Sequence, residues 1–233
     1  MIKPPASPLS EELALGSLKT ILTAAVDETG TLAEIAGIFL NPIEARRQRW
    51  MERVSEALNT IERKFNRLPQ DLQSDPAFVS ILIQATGTAV KNHRKEKIEA
   101  LQNGIVSSLD RERFPEDSCH LFLRYIDELT VSHLSILASL LSCEGRLAAI
   151  ESLPELHAAI DPKLEHPLEV EAFRLFVFDL DTRALIARGD IYDLPTFASK
   201  QEFSMLESST FQPLQVTAMG KSFLQFIASS KSD

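Results

Sequence analysis

The sequence has few of the residues that mark a disulfide scaffold, a phosphate-binding loop or a membrane span. Its 233 residues include two cysteines, Cys119 and Cys143, which lack the CxxC spacing of metal and redox sites. The eight glycines are scattered singly and form no phosphate-binding motif. No apolar run approaches the roughly 18 residues of a spanning helix, and the first residues, MIKPPASPLSEE, do not resemble a signal peptide. We therefore expect a cytoplasmic protein with reduced thiols.

Sequence signatures of catalysis are missing as well. The five histidines show none of the spacings typical of metal sites. The nearest constellation is Cys119 beside His120, with Asp127 and His133 downstream. Adjacent residues of a helix point about 100° apart, so Cys119 and His120 would not face the same ligand. We expect no enzyme, no metal and no cofactor, with Cys119 in the core and His120 at the surface.

The charge is acidic overall but contains two basic clusters. A net charge of −9 argues against a protein that coats nucleic acid, because phosphate binding requires clustered Lys and Arg. The first basic cluster comprises Arg46, Arg47, Arg49 and Arg53, and the second comprises Lys91, Arg94, Lys95 and Lys97. Both are candidate surfaces for an anionic partner. The alternative and commoner outcome is a solvated helix face with ion pairs between neighbouring side chains.

Short apolar stripes predict two helices near the N-terminus. Prolines in residues 1–9 predict a mobile lead-in. Ser10 caps the first helix, and Thr31 with Glu34 forms a capping box for the second. An alternative interpretation of Leu18–Leu40 is a membrane-touching hairpin. The shortage of Lys and Arg on its polar faces disfavours that alternative.

Two longer amphipathic helices are predicted in the middle of the chain. The first begins with Asn41 as N-cap and Pro42 in the first helical position, and its apolar stripe continues to Leu68. The second carries an apolar stripe over residues 78–109, with a predicted kink within residues 93–97.

Two glycines in the second long helix carry separate expectations. Gly87 is predicted to allow the close approach of a neighbouring helix. Gly104, together with Asn103, is an alternative end of the same helix. Further helices are predicted to start at Pro115 and after the capping residue Thr130.

The stretch Leu168–Arg188 predicts a buried helix that runs into a strand. Phe173, Phe176, Val177 and Leu180 recur at helical spacing, and two aliphatic residues follow after a short polar turn. We expect these side chains to be buried in a core.

From Leu129 onward the predicted order is helix, short helix, helix, strand, polar hairpin, strand and closing helix. This order resembles a winged helix-turn-helix domain. LTVSHLSILASLL is similar to the first helix, FDLDTRALIARGD to the end of the recognition helix and the first wing strand, and LQVTAMGKSFLQFI to the last strand and closing helix. With NPIEARRQRW in the helical half, the whole chain also resembles bacterial Abi-alpha-like abortive-infection proteins. That resemblance implies a phage-defence setting and supplies no catalytic residue.

The recognition-like helix differs in its charge from the recognition helix of a DNA-binding winged-helix domain. It offers four acids against Arg174 alone, and phosphate would repel this face. The four acids are Glu169, Glu171, Asp179 and Asp181. We therefore expect this module to pack on the N-terminal helices or on a protein partner.

Together these patterns predict a mainly α fold. A helical bundle over residues 10–128 precedes a winged-helix-like domain over 129–233 with a small β-hairpin wing. The predicted function is non-enzymatic binding of a protein partner, including a second copy of the chain. One alternative is a DNA-binding regulator that uses the two basic clusters. Another is a membrane-disturbing defence effector.

Overall fold

A computed structural model describes residues 31–147, 150, 152–188 and 214–228. These residues are mostly helical and include one two-stranded antiparallel sheet, so the predicted mainly α class is confirmed. The chain divides into two compact units, with the boundary between Glu128 and Leu129. The described residues after Gln225 group with the first unit, not with the second. Predictions for residues 1–30 and for most of the wing lie outside the described residues.

The first helix of the structure, α1 (Thr31–Phe65), is continuous through Pro42. The predicted helix start at Asn41 and Pro42 is therefore wrong. A proline inside a helix loses its own hydrogen bond to the carbonyl four residues earlier, at a cost of about 3 kcal/mol. The residues on both sides of Pro42 are helical, so the helix continues across the proline. The capping signal at Asn41 therefore does not mark the start of α1.

The end of α1 also differs from the prediction. Asn66 takes a left-handed φ of 51°, and Pro69 holds Leu68 in an extended conformation with ψ of 152°. Leu68 consequently lies outside the helix, and its side chain is 48% exposed. Its predicted place on the buried stripe is wrong. Trp50, Val54 and Ile61 on the same stripe are buried, as the helical spacing indicates.

In the described part of the first unit, α1 is followed by α2 (Pro69–Leu72), α3 (Pro76–Lys91), α4 (Lys95–Ser107) and α5 (Glu116–Glu128). Residues 92–94 separate α3 from α4, so the predicted single helix with a kink is two helices. The Asp75 side chain caps α3 by accepting from the backbone N–H of Phe78 at 3.1 Å. Helix α4 continues past Gly104 to Ser107, so the alternative end there is wrong.

Helices α1 and α5 each pack against both α3 and α4. The indole N–H of Trp50 donates to the Thr86 hydroxyl at 3.0 Å across the α1–α3 contact. The prediction of a close helix approach at Gly87 is wrong, because no neighbouring atom lies within 4 Å of a Cβ built there. Such an approach occurs at Gly104, where a Cβ would lie 2.7 Å from the ring of Phe226.

The described part of the second unit contains several helices and the sheet. Its elements are α6 (Val131–Ser142), α7 (Glu144–Leu147), α8 (Leu153–Ile160), a 3-10 turn (Asp161–Lys163), α9 (Val170–Thr182), β1 (Ile186–Arg188), β2 (Leu214–Val216) and the start of α10 (Ala218–Ile227). Helix α9 packs against α6 and α8. Strands β1 and β2 pair antiparallel, with Ile186 opposite Val216. The predicted helix-to-strand transition in Leu168–Arg188 is confirmed.

The predicted core stripe of α9 is buried with one exception. Phe173, Val177 and Leu180 are at most 1% exposed. Phe176 is only half-buried, and its ring lies 4.4 Å from the imidazole of His133. Phe176 therefore lies at the edge of the buried face of α9, next to the exposed face.

The turn from β2 into α10 depends on two residues. The Thr217 hydroxyl accepts from the backbone N–H of Gly220 at 2.9 Å and donates to the Ala184 carbonyl at 2.7 Å. A Cβ at Gly220 would lie 2.1 Å from the Leu185 carbonyl oxygen. Only glycine fits here, because the backbone of Leu185, directly before β1, occupies the space that a side chain would need.

Candidate binding surfaces

The first basic cluster lies on α1 and is partly paired within that helix. Arg47 lies 3.0 Å from Glu44, and Arg53 lies 3.2 Å from Glu56. The Arg49 guanidinium donates to the carbonyl four residues earlier at 3.1 Å. Arg46, the fourth member, is half-buried. Exposed pairs of this kind contribute about 0–1 kcal/mol, so an anionic partner can compete for these guanidinium groups.

The second basic cluster lies where α3 ends and α4 begins. Its members pair with nearby carboxylates, Lys91 with Asp127 at 3.7 Å, Arg94 with Glu96 at 3.4 Å and Lys95 with Glu99 at 3.5 Å. The fourth member, Lys97, is buried. The anionic-partner role of the exposed members stays a prediction.

Lys97 has a structural partner inside the first unit. Its ammonium donates to the Asp127 backbone carbonyl at 2.8 Å, in the last turn of α5 where carbonyls lack helical partners. Burial lowers the pKa of Lys97 below its usual 10.5, and the nearby Asp127 carboxylate opposes that shift. Lys97 therefore adds no exposed charge to the second basic cluster.

The two basic clusters lie at the same end of the helical bundle. Contacts of Trp50 with Thr86 and of Arg67 with Asp75 show that α1 and α3 are antiparallel. Helix α4 runs back along α3 and is therefore parallel to α1. The Arg53 guanidinium donates to the Gln102 side chain at 3.4 Å. Because the two helices are parallel, going back about two turns from this contact on each helix leads to the first turn of α4 and to the start of the first basic cluster, which therefore lie side by side.

The exposed face of α9 combines an apolar side chain with carboxylates. Glu171, Leu175 and Asp179 are spaced by four residues and share one face. Leu175 is 66% exposed, the largest exposed fraction among the large apolar residues that the structure describes. Arg174 lies 3.7 Å from Glu171, and Arg183 lies 3.1 Å from Asp179. This face repels phosphate and offers an apolar contact framed by acids.

His133 joins the start of α6 to α9, a role that the sequence analysis missed. The Thr130 backbone N–H donates to Nδ1 of His133 at 3.1 Å, and the Thr130 hydroxyl lies 2.8 Å from the same nitrogen. Nε2 lies 3.3 Å from the Asp179 carboxylate. Because a backbone N–H can only donate, Nδ1 accepts and the neutral ring carries its proton on Nε2. The lone pair of Nδ1 is therefore used in the cap of α6. The sequence signal was TVSH, a capping box with His in the place of Glu.

The constellation around Cys119 and His120 is not assembled into a site. Cys119 is fully buried, and burial raises the pKa of its thiol to about 11. Its sulfur donates to the Phe114 carbonyl at 3.4 Å, whereas the His120 ring donates to the Gln84 side chain at 2.6 Å. The two side chains therefore face different partners.

Within the described ranges there is no group of three or more His, Cys, Asp or Glu side chains that could hold a metal ion. No helix of the described part is long and apolar enough to cross a membrane. Searches against protein-family models, curated proteins and solved structures find no match for this chain.

Proposed function

We propose that this protein is a non-enzymatic binding protein that associates with another protein chain through the exposed face of α9. One observation carries the proposal, the exposure of Leu175 between carboxylates one turn away on either side. A large apolar side chain in that setting suits a partner that offers an apolar pocket with basic residues at its rim. A DNA backbone lacks the apolar pocket and carries the wrong charge.

The first partner to test is a second copy of the chain. The acidic face of α9 and the first basic cluster have opposite charges, and each copy carries both surfaces. Contact between unlike surfaces of two copies is a heterologous association, which either closes into a ring or continues into larger assemblies.

Sedimentation velocity over a range of concentrations tests this association. We expect the wild-type chain to associate and Leu175→Asp to remain monomeric. Ile83→Asp is the matched control, since Ile83 is 63% exposed on α3 in the first unit and should leave association unchanged. Wild-type protein that stays monomeric at every concentration would rule out the second copy as the partner.

The alternative function, DNA binding, is favoured by the proximity of the two basic clusters. A salt-titrated DNA-binding assay distinguishes it, because neutralised phosphates make affinity fall steeply with salt. Under our proposal, binding is weak and insensitive to Arg46→Glu with Arg47→Glu. Tight, salt-dependent binding that these reversals abolish, while Arg63→Glu further along α1 does not, would replace the proposal with a DNA-binding regulator.

We extend the proposal to a winged-helix module in the second unit. The order α6, α8, α9, β1, β2, α10 and the antiparallel pairing of the strands support it. The resemblance to abortive-infection proteins is the ground for a cytoplasmic role in bacterial phage defence. Plating efficiency of phages on hosts with and without the gene tests that role.

A further inference from the structure

Cys143 and Lys163 approach each other closely in the second unit. Cys143 is the C-cap of α6 and is 8% exposed, while Lys163 ends the 3-10 turn after α8. The Lys163 Nζ atom lies 2.6 Å from the Cys143 sulfur. Neither residue takes part in the binding surfaces described above.

This separation is too short for an ordinary hydrogen bond to sulfur. Even charge-assisted N–H···O bonds rarely fall below about 2.7 Å, and sulfur is a larger atom than oxygen. A single oxygen atom bonded to both nitrogen and sulfur would hold them at this separation. We infer that Cys143 and Lys163 form an oxidative modification site, at which one oxygen joins the sulfur to the Lys163 nitrogen as an S–O–N cross-link.

The oxidant is a peroxide, and the reaction proceeds in two balanced oxidations. In the first, the Cys143 thiolate attacks one peroxide oxygen, the O–O bond breaks, and a sulfenic acid and water form. In the second, another peroxide accepts two electrons and two protons as the sulfenic oxygen bonds to the Lys163 amine, which produces two waters. Thiol, amine and two peroxides thus become the cross-link and three waters. A dithiol reductant reverses it to thiol, amine and water.

The surroundings of the two cysteines favour oxidation of Cys143 over oxidation of Cys119. A lysine ammonium beside a thiol stabilises the thiolate, which is the form that peroxide oxidises. The Lys163 side chain is exposed, so peroxide can reach the pair. Cys119 is fully buried, directs its sulfur to the Phe114 carbonyl, and has its pKa raised to about 11 by burial, so it stays a protonated thiol.

Mass spectrometry of the full chain, treated with hydrogen peroxide or with dithiothreitol, tests the site. We expect peroxide to add one oxygen and remove two hydrogens, and dithiothreitol to restore the original mass. Trypsin should then fail to cleave after Lys163, and residues 125–146 should be recovered joined to residues 147–174. Cys119→Ser is the matched control and should form the same cross-link.

Two variants remove the cross-link without removing the fold. Lys163→Arg keeps an exposed cation, and Cys143→Ser keeps a side chain of similar size. We expect neither to show the mass change or the joined peptides. The inference is overturned if peroxide produces only sulfenic or sulfinic acid on Cys143, if two hydrogens are lost without a gain of oxygen, or if Lys163→Arg shows the same mass change as wild type.

Discussion

Single residues in this protein are constrained by specific contacts, which are distant in sequence for Gly220 and local for His133. Gly220 is the sharpest case, because its position is fixed by the Leu185 carbonyl, which belongs to the backbone and cannot rotate away. His133 is constrained in another way, since its tautomer follows from the Thr130 backbone N–H. The residue type is visible in the sequence in both cases, but the role of Gly220 follows only from its contact with Leu185, and the tautomer of His133 only from its contact with Thr130.

Replacement of Gly220 by alanine should destabilise the second unit strongly. The added Cβ would lie 2.1 Å from the Leu185 oxygen, so the start of α10 or the segment between α9 and β1 must shift. We expect a loss of at least about 2 kcal/mol, towards the upper end for overpacked sites. Hydrogen exchange of α6 and α9 amides measures it. Gly145→Ala, with no atom within 4 Å of its Cβ, is the control in the same unit; equal protection in both variants would contradict the steric argument.

Cys119 should make stability depend on pH in the alkaline range. Burial raises the pKa of its thiol from 9.0 to about 11, so the folded state holds its proton where the unfolded state has lost it. The stabilisation is fully present below pH 9.0 and is lost as pH rises to about 11, amounting to about 2–3 kcal/mol over this window. Urea unfolding monitored by Trp50 fluorescence should show this extra loss in wild type and not in Cys119→Ala. Parallel pH profiles would show that the thiol does not titrate in this way.

At the scale of helices, two glycines in one predicted element have opposite roles. Gly104→Ala should lower stability by about 1–2 kcal/mol, because the added methyl meets the buried Phe226 ring at 2.7 Å. Gly87→Ala should raise stability by roughly 0.5–1 kcal/mol, because its site is open and alanine favours a helix. Trp50 is the only tryptophan and lies in the first unit, so its fluorescence reports both changes in urea. A stabilised Gly104→Ala would mean that the ring moves aside easily.

The sequence predicted helices best where apolar spacing and caps agree. Thr130 marks a helix start correctly, since capping needs only a residue three positions away. Local signals failed at Pro42, where a proline suited to a first turn lies inside a helix. Local signals also failed to show which of Gly87 and Gly104 lies close to a neighbouring helix. The neighbour is Phe226 of α10, which is far from both glycines in sequence.

The candidate surfaces were predictable only in part. The acidic character of α9 follows directly from its composition, so the sequence disfavoured DNA on this face. The exposure of Leu175 did not follow, because an apolar residue beside a buried stripe can fall on either side of its edge. The burial of Lys97 depends on the Asp127 carbonyl, 30 residues away, which no local pattern contains.

At the scale of the whole chain, the first unit needs a residue from the far end of the sequence. The Phe226 ring is fully buried between Phe114 and Phe122, with ring centroids 5.4 and 5.3 Å away. Phe226→Ala should therefore destabilise the first unit by about 3–5 kcal/mol, the usual effect of removing a buried aromatic ring. Trp50 fluorescence in urea measures it, and Met219→Ala, at a partly exposed position of the same helix, should change little. Equal effects of the two substitutions would mean that the aromatic contact does not stabilise the first unit.

The position of Phe226 also sets the order of events during synthesis. The Ser107 hydroxyl donates to the Phe226 carbonyl across 119 residues of chain, and the whole second unit is translated between them. At about 5–20 residues per second, the ribosome needs on the order of ten seconds to cover that distance. During this time the nascent first unit presents an unfilled aromatic site to chaperones and to other nascent chains. The core of the second unit is completed only shortly before Phe226 is added, because β2 and the start of α10 directly precede Phe226 in the chain.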